Sequence, residues 1–423
     1  MVAAFVVSLF LCLIIGFPIF LALIIPSTGF LTIGLDLPLL LIPQRVIHGM
    51  NKYTLLCIPF FILAATVMGK GKLGDKLLKL SRSFVGHLYG GLALTCIGAC
   101  TVIGAISGAG TAGIITVGPM IVKDMVENGY PRGFSLGLIT TVSVVAMLIP
   151  PSIAFVIYSM VTGTSIARLF LSGIGAGLTF SFVFAAYSYL YARRHRIPLT
   201  KRPSLKELFA SIYDSLWALG LPVIILGGMY SGLFSPTEAA AASAVYAIFV
   251  ETFIYKEMNL KDLYNISLHT GTTVAMIYVL LGAGSLLAYA MTIAKIPLAL
   301  QVFFGGASRF VVLVVINIAL LIAGCFVGPG SCIVILMPLF LPIAQSVGID
   351  LIHLGAIVVT NVAIGMFTPP FGLDLFVSCG VFKVEFSSLV KYVFPFILLS
   401  LLALILVTYI PPISLWLPGV LMK

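Results

Sequence analysis

Long apolar runs, almost free of charge, lie near positions 2–35, 48–69, 134–161, 166–191, 215–233, 236–255, 271–290, 353–380 and 386–410, with short polar connections between them. A bilayer span needs about 20 mostly apolar residues, so these lengths predict membrane-crossing α-helices. A membrane β-barrel would show short alternating segments instead. The first run has room for one tilted helix, or for a helix with an interfacial piece. Two further runs, near 88–120 and 307–341, are rich in small residues and broken at their centres, at Gly104-Ala-Ile-Ser107-Gly-Ala-Gly110 and Gly324-Cys-Phe-Val-Gly328-Pro-Gly-Ser331. Lipid cannot satisfy the backbone groups that such a break exposes, so the break belongs where protein buries it or where it lines a cavity. Both runs therefore read as re-entrant helical hairpins whose tips meet near the membrane midplane.

The two hairpins belong to a repeat. Pro119 follows the first and Pro338 the second, and the double prolines Pro150-Pro151 and Pro369-Pro370 come next. Both pairs stand at one offset of 219 residues (338 − 119 and 369 − 150). The chain thus divides into 1–205 and 206–423, each half with a hairpin (about 88–120, about 307–341) and a proline-broken helix (about 134–161, about 353–380). The basic stretches Lys70–Arg82 and Arg193–Lys206 mark cytoplasmic connections. Counting spans between them makes the hairpins open to opposite faces, so the repeats are inverted, an architecture of secondary transporters. The expected fold is an all-α polytopic membrane protein of two inverted repeats.

Composition narrows the class. Hydrophobic residues make up 61% of the 423, charged residues only 9%, and the mean hydropathy is +1.21. A water-soluble fold, with about 25% charged residues, is excluded. The net charge of +10 sits in membrane-flanking connections, which argues against nucleic-acid binding. No Lys or Arg precedes Arg45, so the first segment lacks the basic start of a cleavable signal peptide. The seven cysteines lie in apolar stretches and read as buried small hydrophobes. Five scattered histidines lack metal-ligand spacing, no P-loop occurs, and no nucleophile–base motif stands out, so an enzyme is not expected. The basic, apolar-faced segments Lys70–His87 and Leu205–Leu216 suit either surface helices or connecting arms.

Candidate chemistry gathers at the breaks. Paired prolines remove two backbone donors and free carbonyls one turn earlier, near Ala146–Ile149 and Gly365–Thr368. Carbonyl and hydroxyl oxygens are hard ligands suited to Na⁺, while half-helix N-termini suit an anionic group. The cation candidates are Gly104, Ser107, Ser143, Pro150, Gly324, Gly328, Gly365 and Thr368. The substrate candidates are Ser107, Gly108, Ser152, Gly330, Ser331, Pro370 and Asp374. Thr111 adds a hydroxyl near the first tip. Asp374, four residues past the second double proline, is an ionisable group within an apolar run, unless it reaches water near Lys383. Glu238, in Ser235-Pro236-Thr237-Glu238, is better explained as half of a capping box.

These motifs together resemble a known family. Gly232-Leu-Phe-Ser-Pro-Thr-Glu-Ala-Ala-Ala241, Ile106-Ser-Gly-Ala-Gly110 through Pro119, Asn128-Gly-Tyr130, Ile149-Pro-Pro-Ser152 with Tyr158, and Thr368-Pro-Pro-Phe-Gly372 with Leu375-Phe-Val377 are similar to the large membrane subunit of tripartite ATP-independent periplasmic (TRAP) transporters, within the ion-transporter superfamily. The likeness runs nearly end to end. It implies an elevator-type carrier in the bacterial inner membrane, without a cofactor and with Na⁺ as coupling ion. Its partners would be a small four-helix membrane subunit and a periplasmic substrate-binding protein. Its substrate would be an organic acid such as sialic acid or a C4-dicarboxylate. The moving transport domain would be about 88–161 plus 307–380, and the remainder scaffold and arms. One departure matters: the first tip reads Ser107-Gly108-Ala109-Gly110 where many members have Ser-Gly-Ser-Ser, so Ser107 is the retained hydroxyl. A channel, a membrane-embedded enzyme and a stand-alone ion-coupled carrier are the other readings, and the last is the nearest rival.

Overall fold

The computed structural model describes residues 1–71, 73–108, 110–199 and 204–422, with backbone alone for 73–75, 103–107 and 205. Every regular element among them is helical. Among the described residues, seven helices are long and apolar enough to cross a membrane, and nine if each of two bent pairs counts as one span. The chain is a multi-pass membrane protein.

Local sequence sets the helix starts. Ser235 accepts a bond from the Glu238 N–H while the Glu238 carboxylate accepts one from the Ser235 N–H, and Pro236 opens the helix Pro236–Phe249. Glu238 thus serves as the capping residue that its motif predicts. Asn259 and Asp262 make the same reciprocal pair at the start of Leu260–Ile293, the longest helix described.

The N-terminal run is not one tilted helix. Gly16, at φ +87°, closes Val2–Ile15 in a left-handed turn, and Pro18 precedes Ile19–Gly29. The two helices fold back on each other, with Phe5 and Phe30 stacked at 4.9 Å between ring centroids. The basic segments become Leu73–Val85 and Leu205–Asp214, which pack together. Lys76 bridges to Asp214 at 2.8 Å, and the Ser215 hydroxyl donates to the Lys76 carbonyl at 3.0 Å. The two segments brace each other.

Each repeat contributes a hairpin and a broken helix. The first hairpin enters as Gly91–Ser107 and returns as Gly110–Thr116 and Gly118–Glu127. The second enters as Arg309–Phe326 and returns as Pro329–Ser346. The first broken helix runs Arg132–Val142, Val145–Leu148 and Ile153–Thr162, bent by 45°. The second runs Leu351–Gly365 and Leu373–Phe382. Their packing is reciprocal. Ile153–Thr162 lies against Pro329–Ser346 of the other repeat, and Leu373–Phe382 lies against Gly110–Thr116 of the other repeat. Each half therefore completes the other around one centre.

Candidate substrate and ion site

The double prolines interrupt both broken helices, and each contains a cis peptide, Pro150-Pro151 and Pro369-Pro370. Without proline N–H groups, the carbonyls of Ala146 and Met147 lose their helical donors, as do those of Gly365 and Met366. In the second repeat those losses are made good locally. Met366 O accepts from the Asp374 N–H at 2.8 Å and Gly365 O from the Thr368 N–H at 3.2 Å. Beyond each break a new helix starts, at Ile153 and at Leu373, with no side-chain cap at its N-terminus.

Glycines bring the hairpin backbones onto these breaks. A Cβ on Gly108 would stand 2.4 Å from the Pro151 carbonyl oxygen, and its φ of +59° disfavours any other residue. A Cβ on Gly110 would lie 3.4 Å from Val144 Cα and 3.3 Å from Asp374 Oδ2; one on Gly113 would lie 3.4 Å from Ser143 Cβ. In the second repeat a Cβ on Gly365 would come within 2.5 Å of the Gly324 carbonyl carbon. Between the tips lies a cavity of about 310 Å³, lined by Gly108, Gly110 and Thr111 from one hairpin and Gly328, Gly330 and Ser331 from the other. Ile153, Ala154 and Leu373, from the new helix starts, and Ile277 and Leu280, from the long helix, complete it. Both half-helix N-termini therefore open on the cavity, where the helix dipole at Ile153 favours an anion, while at Leu373 the Asp374 N–H is already taken by Met366 O.

Comparison with known proteins places this geometry. The family model described as "Tripartite ATP-independent periplasmic transporter, DctM component" matches residues 6–413. The chain belongs to this family. Among relatives of this DctM-family permease, the ectoine/5-hydroxyectoine TRAP transporter large permease protein UehC of Ruegeria pomeroyi is 39% identical, over 99% of this chain and 98% of its own. The C4-dicarboxylate TRAP transporter large permease protein DctM of Pseudomonas aeruginosa is 41% identical over 89% of this chain and 88% of its own. The isethionate TRAP transporter permease protein DctMQ of Oleidesulfovibrio alaskensis is 36% identical over 97% of this chain and 65% of its own. In fold, the chain is similar to the YdaH transporter of Alcanivorax borkumensis, with a TM-score of 0.62 at 13% identity over 88% of this chain and 87% of that one. As a member of this family the chain is a transporter component and not an enzyme.

The permease brings most predicted residues together and separates a few. Gly108, Gly328, Gly330 and Ser331 line the cavity. Pro150 and Ser152 are buried beside it, and the Ser152 hydroxyl has no partner. Gly324 and Gly365 form the close backbone crossing of the second repeat. Pro370, by contrast, is exposed and does not line the cavity. The second break carries its prolines outward, whereas Pro150 and Pro151 are packed inside. The Thr368 hydroxyl donates to the Ile364 carbonyl at 2.7 Å, the usual use of a hydroxyl in an apolar helix. Asp374 does not reach water; it is fully buried. Gly104 and Ser107 fall among the residues described by backbone alone, and Ala109 lies outside the described residues.

Two polar contacts were missed in the sequence reading. Thr140 and Ser378 share a 2.8 Å hydroxyl contact across the repeats. Asn361, buried one turn before Gly365, donates to Asn317 Oδ1 at 2.7 Å and to the Ile357 carbonyl at 2.8 Å, while its own Oδ1 is unpartnered. An asparagine inside an apolar run was a legible signal, since buried amides in membrane helices cross-link neighbours.

Proposed function

We propose that this permease imports an organic acid by Na⁺ symport, receiving it from a periplasmic substrate-binding protein. The carrying observation is the convergence of two hairpin tips and two half-helix N-termini on one cavity of about 310 Å³. That arrangement offers dipoles to an anion and spare carbonyl oxygens to a hard cation. The cation ligands would be drawn from the two close crossings, around Ser143 and around Gly324 with Gly365. Na⁺ is the only metal invoked, and no cofactor is needed.

In this reading residues 88–161 and 307–380 form a transport domain that slides against the remaining scaffold. A small four-helix membrane subunit enlarges that scaffold in the bacterial inner membrane. The relative named DctMQ, much longer than the stretch it shares with this chain, supports a second permease component working beside this one. Relatives named for C4-dicarboxylate, ectoine and isethionate leave the choice of acid to the binding protein. C4-dicarboxylates are one candidate and sialic acid another.

The test is uptake into proteoliposomes holding the permease with its small partner. With binding protein outside, uptake should fall to background when Na⁺ is replaced by K⁺ or choline. Undiminished uptake under a proton gradient alone would overturn the coupling. Comparable saturable uptake without binding protein would favour a stand-alone carrier. The inverted arrangement is checked separately. Single cysteines replacing the exposed Lys123 and Gln345 should react with a membrane-impermeant thiol reagent from opposite faces. Labelling from one face would refute it.

A further inference from the structure

The central cavity has no cation of its own. Among the described residues that line it, none is Lys, Arg or His, although the proposed substrate is an acid. A second, smaller cavity of about 120 Å³ has one. Its lining includes Lys52, Met160 and Val161 of Ile153–Thr162, Gly284 and Ala288 of Leu260–Ile293, and Pro338 of Pro329–Ser346. Lys52 is exposed, makes no ion pair among the described residues, and donates from Nζ to the Met160 carbonyl at 3.1 Å. With Lys70 on the cytoplasmic side, the other end of Tyr53–Lys70 puts Lys52 on the external side.

The two cavities are stacked along the same three helices. Ala154, Ile277 and Ser331 line the central cavity, and in each helix the residue seven positions later, Val161, Gly284 or Pro338, lines the smaller one. Seven residues are two helical turns, a rise of about 10 Å. All three helices run toward the external face in the inverted arrangement, so the smaller cavity lies directly outward of the central one. Lys52 and Leu260–Ile293 belong to the proposed scaffold, whereas Ile153–Thr162 and Pro329–Ser346 belong to the proposed transport domain. An outward slide of about two turns therefore carries Ala154 and Ser331 to the level now held by Val161 and Pro338. There the substrate leaves the large apolar Ile277 and Leu280 and meets Gly284, Ser285 and Lys52, which offer more room and a positive charge.

We propose that Lys52 is a scaffold-borne anion ligand, which meets the substrate carboxylate only in the outward position and rests on Met160 in the inward one. The assignment rests on the sliding-domain reading and adds to it a residue that reads substrate charge. A charge-assisted hydrogen bond made in one position alone gives the acid a differential affinity for that position. The acid is then held more tightly outside, where it is delivered, than inside, where it has to leave. Breaking the Lys52–Met160 contact and freeing Lys52 for the acid are one event.

The register is tested by cross-linking in a background lacking the native cysteines. Lys52→Cys paired with Ile153→Cys, seven residues before Met160, should be joined by a short bis-thiol reagent in membranes, as should the pair at 52 and 160. Joining at 160 but never at 153 would overturn the proposal. The charge is tested by uptake of succinate and of sialic acid in the complete reconstituted system. For Lys52→Gln, the half-saturating concentration of loaded binding protein should rise about ten-fold with the maximal rate within about two-fold, and Lys52→Arg should recover most of the loss. Lys295→Gln, which removes another exposed charge on the external side and lines neither cavity, should behave as wild type. Without binding protein, the ratio of anionic to cationic methanethiosulfonate reactivity at Ala288→Cys should fall about three-fold or more when Lys52→Gln is added. Unchanged half-saturation in Lys52→Gln would overturn the proposal. So would an equal rise in Lys295→Gln with an unchanged reactivity ratio, which would assign the charge to docking of the binding protein. Full-rate uptake by the permease joined at 52 and 160 would instead overturn the sliding reading, and import of neither acid by wild type the organic-acid reading.

Discussion

Replacing Gly365 with alanine is expected to reduce uptake to less than about a tenth of wild type while leaving the protein in the membrane. The added Cβ would stand 2.5 Å from the Gly324 carbonyl carbon and 2.6 Å from its Cα and oxygen. No side chain is there to swing aside; backbone meets backbone, so the second hairpin must back away from the second broken helix. Overpacking of this kind costs about 1–3 kcal/mol, which shifts a packing equilibrium by about five- to 150-fold. Gly380→Ala is the control, since a Cβ there meets nothing within 4 Å. The measurement is initial uptake rate normalised to permease content for both variants. Wild-type uptake by Gly365→Ala would show that this crossing is not needed in the cycle.

Tethering Lys52 to Met160 is expected to stop transport altogether. Lys52, just before the helix Tyr53–Leu56, donates from Nζ to the Met160 carbonyl at 3.1 Å. Met160 lies near the end of Ile153–Thr162, within the proposed transport domain, and Lys52 lies in the proposed scaffold. Sliding of one against the other has to break this contact. Cysteines at both positions, in a background lacking the native seven, are joined by a short cleavable bis-thiol reagent. Uptake should drop to background and return on cleavage. Full-rate uptake by the joined protein would contradict an elevator stroke across this boundary. The single-cysteine variants treated alike show whether the reagent itself inhibits.

Much of the architecture was legible along the chain because membranes enforce simple rules. Span length, charge placement and the intolerance of lipid for broken backbone act on sequence directly. The hairpins, the matching double prolines and the Ser235–Glu238 cap could therefore be read residue by residue. The N-terminal run was harder. Gly16 and Pro18 are both visible there, but hydropathy alone does not say that they fold one run into two short helices.

The site was legible in place but not in detail. The glycines and prolines located both breaks. Which oxygens remain free depends on the folded geometry, near and far along the chain. The Thr368 hydroxyl is taken by its own helix, Pro370 faces outward, and Asn361 is tied to Asn317 across a helix contact.

What the sequence by itself determined is the solvent, the helical class, the repeat and the position of each break, since these follow from local composition and spacing. Only the tertiary structure decided what the breaks enclose. It set Leu373–Phe382 against Gly110–Thr116 and Ile153–Thr162 against Pro329–Ser346, and it made Asp374, whose sequence position left open a route to water near Lys383, a buried carboxylate facing Ser143. The reason is physical. Burial and ligand geometry are properties of pairs of residues distant in sequence, and for Ser143 and Asp374 the pair exists only where the two repeats cross.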